Sequence, residues 1–423
     1  MGRHEHGRAA RGARGTLLRP AGRRSAAWVP VAAALFAIGW GANQFVSLLV
    51  AYRERSGLSV ATVDALVGVY ALGLIPALLV TGPVSDRHGR APVLRVALLV
   101  SLAATLVLLL RGLPALYLGR FLAGVASGAA FAAGTAWVKE LSGAPFDPLA
   151  PEGSGARRAA TALTAGFGLG PVVAGLVAQW APAPLLAAYL PHLAVVLAVL
   201  VPLWRAPETV ADAGPETGSL WSRMRVPSVA DPRFRRQVAP VAPWVFGVAT
   251  VAMAVLPGLV RSATAGWTVA FSALAAGVTL GTGVAVQPRA RRLAAADPGR
   301  AAALGLTAAV AGMLCAATAA ALTSPVLVVV AAGVLGSAYG LGLVAGLVET
   351  QRIAPPRELA GLTAVYYALT YVGFAAPVVL AGLSLLAPYA VLLSALAVAA
   401  AATLALTRRA GARPPAGRSA TAS

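Results

Sequence analysis

The feature that most constrains this chain is a run length. Stretches of about 20 apolar residues, closed by arginine, glycine or proline, recur from residue 29 to residue 407. A helix needs that length to cross a bilayer core of ~30 Å. Read with that ruler, the first half holds spans at 29–52, 62–82, 93–111, 114–138, 159–181 and 184–204. The second half holds spans at 237–259, 265–287, 301–322, 325–349, 361–384 and 387–407. The expectation is an all-α polytopic membrane protein with twelve transmembrane helices in two six-helix bundles. Residues 1–28 form a basic tail, 29–204 the first bundle, 205–236 a linker, 237–407 the second bundle and 408–423 a second tail. The run at 29–52 is longer than a signal-peptide core, so it reads as a retained helix.

Charge decides the orientation. The chain has 34 Lys+Arg against 14 Asp+Glu, a net charge of +20, yet only 11% of its residues are charged and 58% are hydrophobic. A soluble chain carries roughly a quarter charged residues. Of the 34 basic residues, 29 fall in the tails and in alternate loops, while Arg53, Arg55, Arg111 and Arg261 fall on the other side. By the positive-inside rule both termini are cytoplasmic, in a plasma (inner) membrane. The basic excess is thus a topology signal with attraction to anionic lipids, and nucleic acid is not an expected partner.

Several chemistries are excluded or weakened. One cysteine, Cys315, permits no intrachain disulfide, and His4 and His6 lack companion ligands, so no metal site or cofactor is expected. Lys139 is the only lysine and precedes Glu140, so no Gly-Lys-Ser/Thr phosphate loop exists. Uphill work must then come from an ion gradient or a separate subunit. Gly340-x-Gly342-x-x-Ala345 mimics a dinucleotide fingerprint but lies in an apolar span without a preceding strand. No Gly-x-Ser-x-Gly elbow or buried His/Asp/Glu cluster supports an enzyme.

The halves echo each other. Gly82-x-x-x-Asp86-Arg87-His88-Gly89-Arg90 follows span two, and Gly283-x-x-x-Gln287-Pro288-Arg289-Ala290-Arg291 follows span eight. Gly124 and Glu140 on span four match Gly333 and Glu349 on span ten. Pro171-Val172-Val173-Ala174-Gly175 matches Pro377-Val378-Val379-Leu380-Ala381-Gly382. Two related halves with a solute site between them are a transporter architecture.

These residues resemble the major facilitator superfamily. Gly82 to Arg90 is similar to its loop between helices two and three, although Ala91 stands where a further basic residue is usual. Arg120-Phe121-Leu122-Ala123-Gly124-Val125-Ala126-Ser127-Gly128 resembles its fourth-helix motif. Gly166-Phe167-Gly168-Leu169-Gly170-Pro171-Val172-Val173-Ala174-Gly175 resembles the fifth-helix motif associated with drug/proton antiport, with Ala174 replacing a glycine. The resemblance implies a monomeric secondary transporter working by alternating access, with a small-molecule solute and protons as partners. It implies efflux of an apolar or amphipathic compound; a metabolite importer or facilitator of the same fold is the alternative, and a non-transporting sensor the outside one.

Candidate residues follow. Gly82, Asp86, Arg87, Gly89 and Arg90, with Glu140 as a partner for Arg90, form a conformational gate; the resemblance implies that it locks the halves when the protein opens outward. Arg120 is the one basic residue inside a span and needs a partner or a wet cavity. Asp64 is its candidate counter-ion, and Asp64 and Glu349 are candidate proton carriers. Span one supplies no acid, where antiporters of this family often have one. Gly166, Gly170 and Pro171 are a candidate hinge. Asn43 and Gln44 lie mid-span and must hydrogen-bond across helices or face a cavity. The resemblance assigns spans one, four, seven and ten to the cavity, so Phe36, Trp40, Phe131, Trp244 and Tyr339, with Trp137 and Phe246, are candidate lining residues.

Overall fold

The computed structural model describes residues 26–210, 226–355 and 358–412. The tails at 1–25 and 413–423, the linker centre at 211–225, and His4 and His6 lie outside the described residues. Among the described residues, twelve apolar helices are long enough to cross a membrane. They are α1 (Trp28–Ser56), α2 (Val60–His88), α3 (Arg90–Leu108), α4 (Leu113–Leu141), α5 (Ser154–Trp180) and α6 (Pro184–Trp204). The second set is α7 (Phe234–Leu259), α8 (Thr268–Ala296), α9 (Pro298–Leu322), α10 (Pro325–Ile353), α11 (Leu359–Leu383) and α12 (Tyr389–Ala410). With twelve crossings among the described residues, α1 starts and α12 ends on one face, the basal end.

Proline starts several helices where its missing N–H costs nothing, as at Pro184, Pro298 and Pro325. Ser59 caps α2 by accepting from the Thr62 N–H at 3.1 Å, and Asp297 caps α9 from the Arg300 N–H at 3.0 Å. Large apolar side chains such as Leu72, Val96, Leu197 and Val398 point outward, as a surface in contact with lipid tails requires.

Two boundaries differ from the sequence reading in a way that matters. Asp86, Arg87 and His88 are the last turn of α2 rather than a loop. The link to α3 is Gly89 alone, at φ +98°, a value glycine adopts without a Cβ penalty. The first span is also discontinuous: its α-helix stops at Asn43, a 3₁₀ turn covers Val46–Leu48, and the α-helix resumes at Leu49.

The halves repeat the same close contacts. A Cβ on Gly124 of α4 would lie 2.0 Å from the Tyr70 carbonyl of α2, and one on Gly340 of α10 would lie 2.1 Å from the Gly283 carbonyl of α8. Small residues let paired backbones approach in this way. Between the halves, contact concentrates at the end opposite the termini. There the Gln179 side chain donates to the Gly266 carbonyl at 2.9 Å and accepts from the Ala270 N–H at 3.0 Å. Gly175 of α5 lies against Ala273 of α8. The three ion pairs between described residues all lie inside the first half. The far end is therefore the closed one.

Candidate functional site

Three zones stack along the seam between the bundles. At the basal end, Arg90 opens α3 and reaches back onto α2 and α4. It pairs with Asp86, one helical turn earlier, and with Glu140 at 3.1 Å, and it donates to the Ser85 hydroxyl at 2.7 Å. The expected Arg90–Glu140 pair is present. Asp86 spends its carboxylate on Arg90, within its own half. Arg87 is exposed, and a Cβ on Gly82 would lie an ordinary 3.8 Å from Ala132.

The sequence reading missed Glu208 and Thr209, just past α6. The Glu208 carboxylate accepts from the backbone N–H groups of Arg90 and Ala91 at 3.0 and 2.8 Å, and from those of Thr209 and Val210. Partial burial pushes its pKa up, but the four N–H bonds outweigh that and hold it below the usual carboxylate range. The first two of those groups are the open N-terminus of α3, where a negative charge is favoured. The Thr209 hydroxyl donates to Glu140, and the Trp137 indole donates to the Pro207 carbonyl at 2.9 Å. The start of the linker is thus bonded into the Asp86–Arg90–Glu140 cluster. The only signal in the sequence was an acid and a hydroxyl directly after an apolar span.

At the middle depth, aromatic rings meet across the seam. Phe167 and Phe131 come from the first half; Tyr371, Phe246 and Tyr339 come from the second. Their ring centroids follow at 5.6, 6.2, 4.5 and 5.6 Å. Tyr70 of α2 also meets Phe374 of α11 at 5.5 Å. Phe131 and Tyr339, two of the candidate lining residues, are in this row, and Tyr371 and Phe374 join it from α11, which the sequence reading did not assign to the cavity.

Other candidates go elsewhere. The Trp244 indole donates to the Thr403 hydroxyl of α12 at 3.2 Å, away from the seam. Gln44 points into the first half's core and donates to Thr105 at 3.4 Å. Thr105 meets His192 Nδ1 at 2.8 Å, and His192 Nε2 meets the Ala37 carbonyl at 3.1 Å. That carbonyl can only accept, so Nε2 carries a hydrogen. Asn43 donates to the Phe167 carbonyl at 3.5 Å. Phe36 and Trp40 pack edge-to-face at 5.7 Å along α1. Gly166 and Gly170 give α1 its close path: Cβ atoms there would lie 2.2 and 2.7 Å from the carbonyls of Phe36 and Trp40. Pro171 is buried in the same helix.

Arg120 is 1% exposed, and its partners are not the expected Asp64. Its Nη1 and Nε donate to the carbonyls of Ala42 and Leu66 at 3.0 and 3.2 Å. Its guanidinium lies 4.8 Å from the Phe45 ring centroid and 4.6 Å from that of Tyr70. Ala42 belongs to the last turn of the broken α1 segment, where unpaired carbonyls form the negative end of the helix dipole. The break in α1 and the buried cation explain each other.

Toward the far end, Asp64 is 3% exposed and lines a cavity of about 80 Å³. Arg53 shares this cavity from the first half, and Tyr389 and Gly258 close it from the second. Asp64 makes no ion pair or side-chain hydrogen bond with another described residue. Glu349 is half-buried at the basal end, beside a cavity of about 20 Å³ lined by Gln237, Pro298 and Gly346. No group of three or more metal-ligating side chains occurs among the described residues.

Twelve helices in two repeating bundles, meeting along one seam, define a transporter-type membrane protein. The family model of the Major Facilitator Superfamily matches residues 29–378, and the chain belongs to that family. Solved structures share its fold at low identity. A POT family transporter in complex with 5-aminolevulinic acid aligns with TM-score 0.74 and 11% identity, covering 91% of this chain and 96% of that one. The nucleoside transporter NupG aligns with TM-score 0.70 and 11% identity, covering 92% and 100%. A mutant of the peptide transporter POT in complex with sulfate aligns with TM-score 0.73 and 14% identity, covering 92% and 95%. A search of curated proteins finds no match. The chain is a multi-pass membrane protein of transporter fold, and its family is one of transporters rather than enzymes.

Proposed function

We propose that this protein is a proton-coupled exporter of a small apolar or amphipathic compound, working by alternating access in the plasma membrane with its basal end cytoplasmic. The observation that carries the proton role is Asp64, a carboxylate buried beside a cavity that both halves close. Charge on such a group is costly without a partner. Gaining or losing a proton there therefore changes the free-energy difference between the closed and open far end, which is what coupling requires. The apolar, aromatic seam supports the solute class, and residues 166–175 support antiport by resemblance. In this reading the Asp86–Arg90–Glu140 cluster is the basal gate, released in the present conformation. Gly166, Gly170 and Pro171 set the close packing about which α5 moves.

Reconstitution into liposomes with an imposed pH gradient tests this. Wild-type protein is expected to drive solute against its gradient and to lose that drive when a protonophore is added. Asp64→Asn is expected to abolish proton-driven accumulation while solute exchange persists. Flux in wild-type protein that ignores the pH gradient would leave a facilitator and remove the proton role.

A further inference from the structure

The row of rings at the middle of the seam carries more than general hydrophobicity. Phe131 and Tyr371 come from opposite halves and lie nearly parallel, with planes 17° apart and centroids 6.2 Å apart. Tyr371 stacks closely on Phe246 behind it, at 4.5 Å, and Phe131 packs against Phe167 behind it, at 5.6 Å. The junction between Phe131 and Tyr371 is thus where the two halves part, and each half brings a flat face to it. Aromatic faces favour an offset-stacked aromatic partner over a round aliphatic one.

The hydroxyls add a second requirement. Three tyrosines in the helix packing have hydrogen-bond partners: Tyr366 donates to the Gly342 carbonyl at 3.1 Å, and the Tyr52 and Tyr189 hydroxyls meet at 3.0 Å; the buried Tyr70 hydroxyl, which also borders the seam, has none. Beside the seam, the hydroxyls of Tyr339, Tyr367 and Tyr371 make no hydrogen bond to a described residue. Tyr339 and Tyr371 both stack on Phe246, at 5.6 and 4.5 Å, and Tyr367 packs against the same buried cluster as Tyr371 and Phe374. The one buried cation nearby, Arg120, lies over the ring of Tyr70, which itself meets Tyr371. The site therefore offers neutral donors and flat faces, without a carboxylate for a cation.

We propose that the solute is a flat, fused-ring aromatic compound bearing carbonyl oxygens, which stacks between Phe131 and Tyr371 and accepts hydrogen bonds from the seam tyrosines. This rests on the transporter reading above and narrows its solute class.

Equilibrium binding to the full chain in lipid nanodiscs tests it, with partition into empty nanodiscs subtracted. Three probes separate the requirements: anthraquinone is flat and carries carbonyls, anthracene is flat without them, and 2-adamantanone has a carbonyl but is not flat. Labelled anthraquinone is expected to bind saturably, and anthracene about tenfold more weakly, as one or two lost hydrogen bonds imply. A large excess of 2-adamantanone is expected not to displace it. Phe131→Leu is expected to weaken anthraquinone several-fold. The double variant Tyr339→Phe/Tyr367→Phe keeps the rings and is expected to bring anthraquinone down to the affinity of anthracene. No saturable anthraquinone binding, displacement by 2-adamantanone as effective as by anthraquinone itself, or an unchanged anthraquinone-to-anthracene ratio in the double variant would each overturn the proposal. Because binding is measured without a gradient, the two readings fail separately. Saturable binding with no flux in liposomes would remove the transporter reading alone. Flux of round solutes with no anthraquinone binding would remove the solute class alone.

Discussion

A single carboxylate after α6 bonds the start of the linker to the start of α3. Glu208 accepts from the N–H groups of Arg90 and Ala91, so it fixes the start of the helix that carries the arginine proposed as a gate. Glu208→Ala leaves those donors without their acceptor, and caps of this kind contribute about 1 kcal/mol. Because its pKa is held low in the folded protein, the stabilisation is complete above the ordinary carboxylate value of 4.5 and fades as pH falls through the depressed one. Thermal unfolding of wild-type and variant protein in detergent is expected to show a gap at neutral pH that closes in acid. A gap independent of pH would mean that Glu208 acts by packing instead of charge. Residues of this kind mark the limit of sequence reading. Arg90 and Glu140 could be paired because both end helices on one side of the membrane. Glu208 meets Arg90 across a separation of 118 residues that only the folded bundle closes. Arg120 shows the same limit from the other direction. Its need for compensation was legible, but its partner is a helix end created by a break in α1 after Asn43, and Gly41 in that last turn is not distinguishable in sequence from the many other glycines of the spans.

Helix placement was legible nearly throughout, since each span is dictated by the thickness of the bilayer core. What periodicity did not reveal was how closely the helices approach, because an abundance of glycine hides the few that touch a neighbour. Gly124 and Gly168 separate the two cases. A Cβ at Gly124 would sit 2.0 Å from the Tyr70 carbonyl, whereas at Gly168 nothing lies within 4 Å. Gly124→Ala must push α2 and α4 apart, at a cost of about 1–3 kcal/mol from overpacking. Gly168→Ala only restores helix propensity and is expected to be neutral or to stabilise by about 0.5–1 kcal/mol. The fraction of purified protein that stays monodisperse on heating checks both. Equal behaviour of the two variants would show that the α2–α4 contact is looser than its geometry. The aromatic seam follows the same logic. Phe131 and Tyr339 lie on spans that the sequence reading expected to line the cavity, while Tyr371 sits on α11 and required the packing of α11 against α2 to bring it to the centre.

At the scale of the molecule, the contacts between halves lie toward the far end and the midplane, and alternating access requires the far-end contacts to break in every cycle. Gly68 on α2 and Val378 on α11 offer a direct test. A Cβ at Gly68 would lie 3.3 Å from Val378 Cγ2, within reach of a disulfide or a short cross-linker if the backbone yields slightly. Cys315 is the only cysteine, so Cys315→Ser gives a clean background. In that background Gly68→Cys with Val378→Cys is expected to cross-link on oxidation, because the present conformation holds the two positions together. Flux in liposomes is expected to stop on oxidation and to return on reduction, while each single variant is insensitive to both treatments. The far end is also where Asp64 is enclosed. The cross-linked protein is therefore expected to keep Asp64 out of contact with the far-side solution, so no proton is released there while the bond is intact. Undiminished flux through fully cross-linked protein would mean that solute passes without this end opening, and the two bundles would then not work by alternating exposure of a central site.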